Sequence, residues 1–151
     1  MKKIGLVLLG ISSITFGGNC TDFSGNWVGS CTTTGAGTQD DAFSVTQTGC
    51  EKVGWGEIEI EMGKDVGYTE TLETHDEKIS MRADWDTTKA TFTLKYTIVA
   101  TQKTGAPLYT LKGTLEPKIV SGKLLSSHDA EYTPAGAGTQ TTKTNCRYSK
   151  R

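Results

Sequence analysis

Histidine occurs only twice in these 151 residues, at positions 75 and 128, and that scarcity removes most imidazole chemistry. No His-Glu-x-x-His, Cys-x-x-Cys, Gly-x-Ser-x-Gly or phosphate-cradling glycine loop is present. Basic residues form no run, so the footprint of a nucleic-acid binder is missing. Beyond residue 18, no apolar stretch approaches the roughly 18 residues that span a bilayer. A helical stripe of apolar residues is lacking as well. These gaps leave no catalytic set, no metal set and no cofactor motif, so the chain reads as a non-enzyme without a transmembrane segment.

What the chain does have begins with Met1-Lys2-Lys3, an apolar run from Ile4 to Phe16, and Gly17-Gly18. A short basic head, an apolar middle and small residues at the end predict a secretory signal peptide over 1–18. The remaining 19–151 form a single expected domain. Without Lys2 and Lys3, 14 basic residues (16 less these two) face 17 acidic ones, a net charge of −3. That balance specifies no charged partner and fits an exported, monomeric protein of the periplasm or extracellular space.

All four cysteines, Cys20, Cys31, Cys50 and Cys146, follow the leader. An even number in an exported chain predicts two disulfides. Cys20 and Cys31 lie about 36 Å apart if the chain between them is extended at ~3.3 Å per residue, far beyond the ~7 Å that a bridge tolerates. A hairpin turning through 35–40 puts residue 44 opposite Cys31, leaving Cys50 out of register by about 20 Å. The expected pairs are therefore Cys20–Cys50 and Cys31–Cys146. The competing reading acylates Cys20 as the first residue of a surface lipoprotein.

Side chains alternate with period two almost throughout, from Phe23, Gly25, Trp27, Gly29 and Cys31 onward. Ile58, Ile60 and Met62 share a face opposite Glu57, Glu59 and Glu61. Further runs cover Val66 to Leu72, Ile79 to Trp85, Ala90 to Ala100, Tyr109 to Leu115, Leu124 to Tyr132 and Thr139 to Tyr148. Gly54-Trp55-Gly56 suggests a bulge, His75 to Lys78 a turn, and Pro117 a break. Eight or nine strands with short connections predict an all-β antiparallel meander. Closure into an up-and-down barrel removes its raw edges; a two-sheet sandwich is the alternative. Gly-Ala-Gly-Thr-Gln appears at 35–39 and again at 136–140, both loop-to-strand junctions.

Phe23-Ser24-Gly25-Asn26-Trp27 resembles the Gly-x-Trp opening of the lipocalins and of their avidin-like and fatty-acid-binding barrel relatives. Gly25-x-Trp27-x-Gly29 is also similar to the opening of nitrobindin-type haem barrels, although His128 stands in no matching motif. The lipocalin resemblance implies a barrel floor closed by Trp27 with a late arginine over it, for which Arg147 is the candidate. A Cys31–Cys146 bridge on the Trp27 face turns Arg147 the other way, and no C-terminal helix is found.

Ser126-Ser127-His128-Asp129 cannot serve as a triad, because His128 and Asp129 face opposite sides of a strand. His75-Asp76-Glu77 reads as solvated. Polar residues on inward faces are more informative: Gln47, Glu70, Tyr96, Ser126 and His128. Apolar walls with a few convergent polar groups characterise small-molecule sites. The expected ligand-binding set is Trp27, Glu70, Trp85, Phe92, Tyr96, Tyr109 and His128, around a small apolar or amphipathic molecule. The other expectation is an interaction or inhibitor protein with a packed core, working through loops 32–39 and 134–142. A cavity above about 300 Å³ separates the two.

Overall fold

The computed structural model describes residues 19–151, and the expected leader at 1–18 lies outside the described residues. Ten strands follow in order: β1 Gly25–Thr33, β2 Gly37–Thr48, β3 Lys52–Trp55, β4 Ile58–Glu61, β5 Asp65–Thr71, β6 His75–Trp85, β7 Phe92–Gln102, β8 Pro107–Val120, β9 Lys123–Pro134 and β10 Gln140–Lys150. They form one antiparallel sheet in the order β4-β3-β2-β1-β10-β9-β8-β7-β6-β5. The sandwich is thereby set aside in favour of a nearly closed barrel. Among the described residues, no helix is long and apolar enough to cross a membrane.

The first and last strands meet at a seam in the middle of the sheet and join β1 to β4 with β5 to β10. Trp27 to Thr33 pair residue by residue with Lys150 to Thr144. Gly29 makes that approach possible: a Cβ there would lie 2.0 Å from the Arg147 carbonyl oxygen. Cys31 and Cys146 are directly opposed in this ladder and bridged, with Cα atoms 4.0 Å apart. The second disulfide joins Cys20 to Cys50. It uses the thiol that lipid attachment at Cys20 requires, so the two states of Cys20 are mutually exclusive.

Several local expectations need correction. Ten strands replace eight or nine because Gly54-Trp55-Gly56 is no bulge. Gly56 adopts φ of 60° and turns the chain, so that Trp55 pairs with Ile58 and one expected strand becomes a short hairpin. The first hairpin turns at 34–36, and Cys31 faces Gln39 rather than residue 44. Cys50 is thus even further from Cys31 than expected. His75 to Lys78 belongs to β6, paired with Val99 to Gln102. Pro117 does not end β8: its ladder to β7 stops at Leu94–Leu115, while its ladder to β9 continues to Val120–Lys123. The Thr91 hydroxyl donates to the Pro117 carbonyl at that gap. Ser121 and Gly122, at φ of 51° and 73°, form a two-residue turn of the kind that matches strand twist.

One end of the barrel is filled. Residues 19–24 run beneath it, held by the Gln47 amide, which accepts from the Phe23 N–H and donates to the Thr21 carbonyl. Phe23, Trp85 and Phe92 pack with centroid distances of 5.5 to 6.1 Å, in stacked and edge-on pairs. The Trp27 indole N–H donates to the Phe23 carbonyl at 2.8 Å, and that of Trp85 to the Cys50 carbonyl at 2.8 Å. Buried indoles keep their hydrogen bonds in this way. Over Trp27 lies Lys150, its ammonium 5.7 Å from the ring centre; Arg147 is exposed on the outer face.

The wall is lowest at the β3–β4 hairpin, whose strands have 4 residues each against 11 to 14 in β6 to β10. Among the described residues no ladder joins β4 to β5. Instead Met62 bridges to Ala83, and the Gly63 N–H donates to the Ala83 carbonyl at 2.7 Å. The ring is thus shut at the floor and notched above it.

Both disulfides stabilise by restricting the unfolded chain, more for the longer loop. Their separations are 115 residues for Cys31–Cys146 and 30 for Cys20–Cys50. Removing the seam bridge with paired Cys→Ala changes should therefore cost about 1 kcal/mol more than removing the floor bridge. Urea unfolding of the two double variants tests the ranking, and a less stable Cys20/Cys50 variant would contradict it.

Candidate functional site

Above the aromatic floor the barrel encloses a cavity of about 560 Å³. Its walls include Ile79, Met81, Leu94, Ile98, Leu111 and Leu115, each on the inward parity of its strand. Hollows on the outer wall, such as one of about 580 Å³ across Lys95, Lys112 and Lys143, are lined mainly by polar, outward-facing side chains. They lack the apolar enclosure of the interior space.

Three polar groupings project into this cavity. The first lies beside the seam. The Tyr148 hydroxyl donates to Asp41 Oδ2 at 2.7 Å and sits 3.0 Å from the Cys31 sulfur. Burial, then the Asp41 carboxylate, pushes the Tyr148 phenol well above its ordinary value. Ser126 is buried next to it.

The second grouping is a pair. Tyr96 and Gly113 are partners across β7 and β8, and the tyrosine ring lies over the space that a side chain would fill. From there its hydroxyl reaches His128 Nε2 at 2.6 Å. Burial raises the Tyr96 phenol. Burial also lowers His128, opposed by the negative charge of Asp129 on the outer face. At neutral pH this favours a phenol donating to a neutral imidazole, with both polar atoms satisfied.

The third grouping sits at the rim. Glu77 Oε1 accepts from the Tyr109 hydroxyl and lies 3.2 Å from His75 Nε2. The Tyr109 bond holds the Glu77 carboxyl below the usual range, with burial opposing and His75 assisting. In return, Glu77 pushes the Tyr109 phenol up to about 12. Glu70 is opposite Glu77 in the β5–β6 ladder and also lines the cavity.

Of the seven residues expected to bind a ligand, Glu70, Tyr96 and His128 line this space. Trp27, Trp85 and Phe92 belong to the filled floor, and Tyr109 stands at the rim above Glu77. His128 bonds to Tyr96, not to Glu70. Gln47 holds the strap under the floor instead of entering the cavity. His75 is half-buried, at 19% side-chain exposure, rather than solvated. Sequence reading missed Asp41, Trp55, Glu77 and Tyr148. Parity placed Asp41 with Phe43, and Tyr148 with Cys146, so the signal was there. Glu77 escapes the pattern because the charged residues at 75–78 read as a turn.

At the notch the lining is partly open to solvent: Ile58 is 43% exposed and Tyr68 48%. These two apolar side chains, with Trp55, Asp41 and Glu70, edge the way in. Comparison with protein-family models, curated proteins and solved structures returns no match. The lipocalin-like likeness of the opening therefore rests on the residues quoted for it.

Two outcomes are expected. Gly113→Ala should displace the Tyr96 ring, because the new methyl would lie 2.3 Å from its Cζ and hydroxyl oxygen. The loss should be about 1–3 kcal/mol, read by thermal unfolding; an unchanged midpoint would refute the packing. The second concerns pH. Burial depresses His128 from 6.5 in the native state, so the unfolded chain takes up that proton first. Stability from this group is complete above 6.5 and falls as pH drops towards the native value, then levels. NMR should show His128 titrating below 6.5, and His128→Gln should flatten that part of the stability profile.

Proposed function

We propose that this chain is an exported binding protein that holds one small apolar or amphipathic molecule in the upper half of its barrel. The observation that carries this reading is the cavity of about 560 Å³ with aliphatic walls, inside the range of about 300–1,000 Å³ typical of small-molecule sites. Barrels of this size either fill with side chains or keep room for a ligand. Here the floor does the first and the upper half the second. The contact-surface reading called for a filled interior, so the cavity weighs for the container against it.

Export is supported by the two disulfides, which persist in oxidising compartments. Binding would draw on the removal of apolar surface from water, about 25 cal/mol per Å² buried. Orientation would come from Tyr96–His128 and Asp41–Tyr148, whose hydrogen-bonding atoms are already fixed within the protein. A molecule passing the notch would meet Ile58 and Tyr68 first. No step of bond making or breaking is part of this reading.

Native mass spectrometry of protein purified from its producing cell should show a retained small molecule. An environment-sensitive hydrophobic dye should bind the emptied protein saturably, and Leu111→Trp, which fills the cavity, should weaken uptake by about tenfold. An apo mass together with no saturable dye uptake would sink the container reading.

A further inference from the structure

The cavity has a sign. Asp41, Glu70 and Glu77 all line it, and among the described residues its lining contains no lysine or arginine. His128, the histidine in that lining, is kept neutral by burial. Lys78, next to Glu77 on β6, has the opposite parity and is exposed, and Lys95 and Lys112 of β7 and β8 stand on the outer face.

Two of the carboxylates are set against each other. Glu70 and Glu77 are direct partners across β5 and β6, and both side chains take the cavity side. Like charges placed directly opposite in a ladder are destabilising. Glu77 is partly compensated by Tyr109 and His75, which both bond its Oε1. Glu70 has no hydrogen-bond or ion-pair partner among the described residues. A cation between the two would relieve the repulsion that the fold leaves in place. A bare metal ion does not suit the site, since no group of three His, Cys, Asp or Glu among the described residues converges on one point. An organic cation does suit it. Its charged head would sit at the Glu70–Glu77 pair, beside Tyr68 on the same face of β5, and its apolar part would run down between Ile79, Leu94, Ile98 and Leu111.

We infer that the cavity selects cationic amphiphiles, an alkylammonium or arylammonium head on an apolar body, through the opposed carboxylates Glu70 and Glu77. This inference rests on the container reading above and adds the charge of what is contained. It involves binding alone.

Three probes of equal chain length test it: decyltrimethylammonium, decyl sulfate and decanol, each titrated calorimetrically below any micelle concentration. The ammonium should bind at least about tenfold more tightly than the sulfate, with the alcohol between them. Glu70→Gln, at an exposed position that the fold does not depend on, should weaken the ammonium several-fold and leave the alcohol unchanged. Equal or tighter binding of the sulfate would overturn the inference while leaving the container reading intact. An ammonium preference untouched by Glu70→Gln would overturn the assignment to this carboxylate pair. If none of the three probes binds, both readings fall together.

Discussion

The antiparallel ladder between β1 and β10 is the constraint on which the rest depends. Strands β1 to β4 and strands β5 to β10 each pair with the next in sequence, but among the described residues no ladder joins β4 to β5, so on their own they would be two separate sheets with raw edges. Joining Trp27–Thr33 to Thr144–Lys150 makes one ten-stranded sheet of the two runs, and that sheet curls until Met62 bridges to Ala83, which gives it an inside. Gly29 lets the backbones meet, and the Cys31–Cys146 bridge removes much of the freedom that the open form would regain. Every inward residue, from the aromatic floor to the carboxylates at the rim, acquires its environment from that closure.

Within the ring, side-chain volume decides what is solid and what is hollow. Phe23, Trp27, Trp85 and Phe92 lie at one end and fill it, with their indole N–H groups bonded to backbone carbonyls. Towards the other end the inward positions hold aliphatic residues, a glycine at 113 and a few polar groups, and a cavity remains between them. The polar groups are mostly paired among themselves, as at Tyr96–His128 and Tyr148–Asp41. Among the described residues Glu70 has no such partner, and it stands beside the low wall.

Much of this was legible in the chain. Alternation is a direct consequence of strand geometry, so it identified the β architecture, the inward faces and, with the reach of a disulfide, both cysteine pairs. What alternation does not encode is where a strand stops. At Gly54-Trp55-Gly56 the change of parity was correct, but a bulge and a two-residue turn produce the same change. At His75 to Lys78 charged residues masked a strand, because that part of β6 reaches the rim, where an inward carboxylate still meets water. Pro117 was misleading for a related reason: it falls where the ladder to β7 is interrupted, between Leu94–Leu115 and the isolated Thr91–Lys118 bridge. The cavity was foreseen as an option only, since a list of inward residues does not give their volume against the circumference they must fill. Hence three of the seven expected site residues line it while the largest aromatics are spent on the floor.

The separation of the two seam strands also bears on how the molecule is made. β1 emerges from the ribosome more than a hundred residues before the strand that flanks it on the other side, as the 115-residue span of the seam bridge records. Until β10 has been synthesised, Trp27 and Cys31 lack the Lys150 and Cys146 partners that cover them. The nascent chain can form hairpins one after another, but it cannot complete the barrel. The pairing that joins the two halves of the sheet is thus the last to become available as the chain is made.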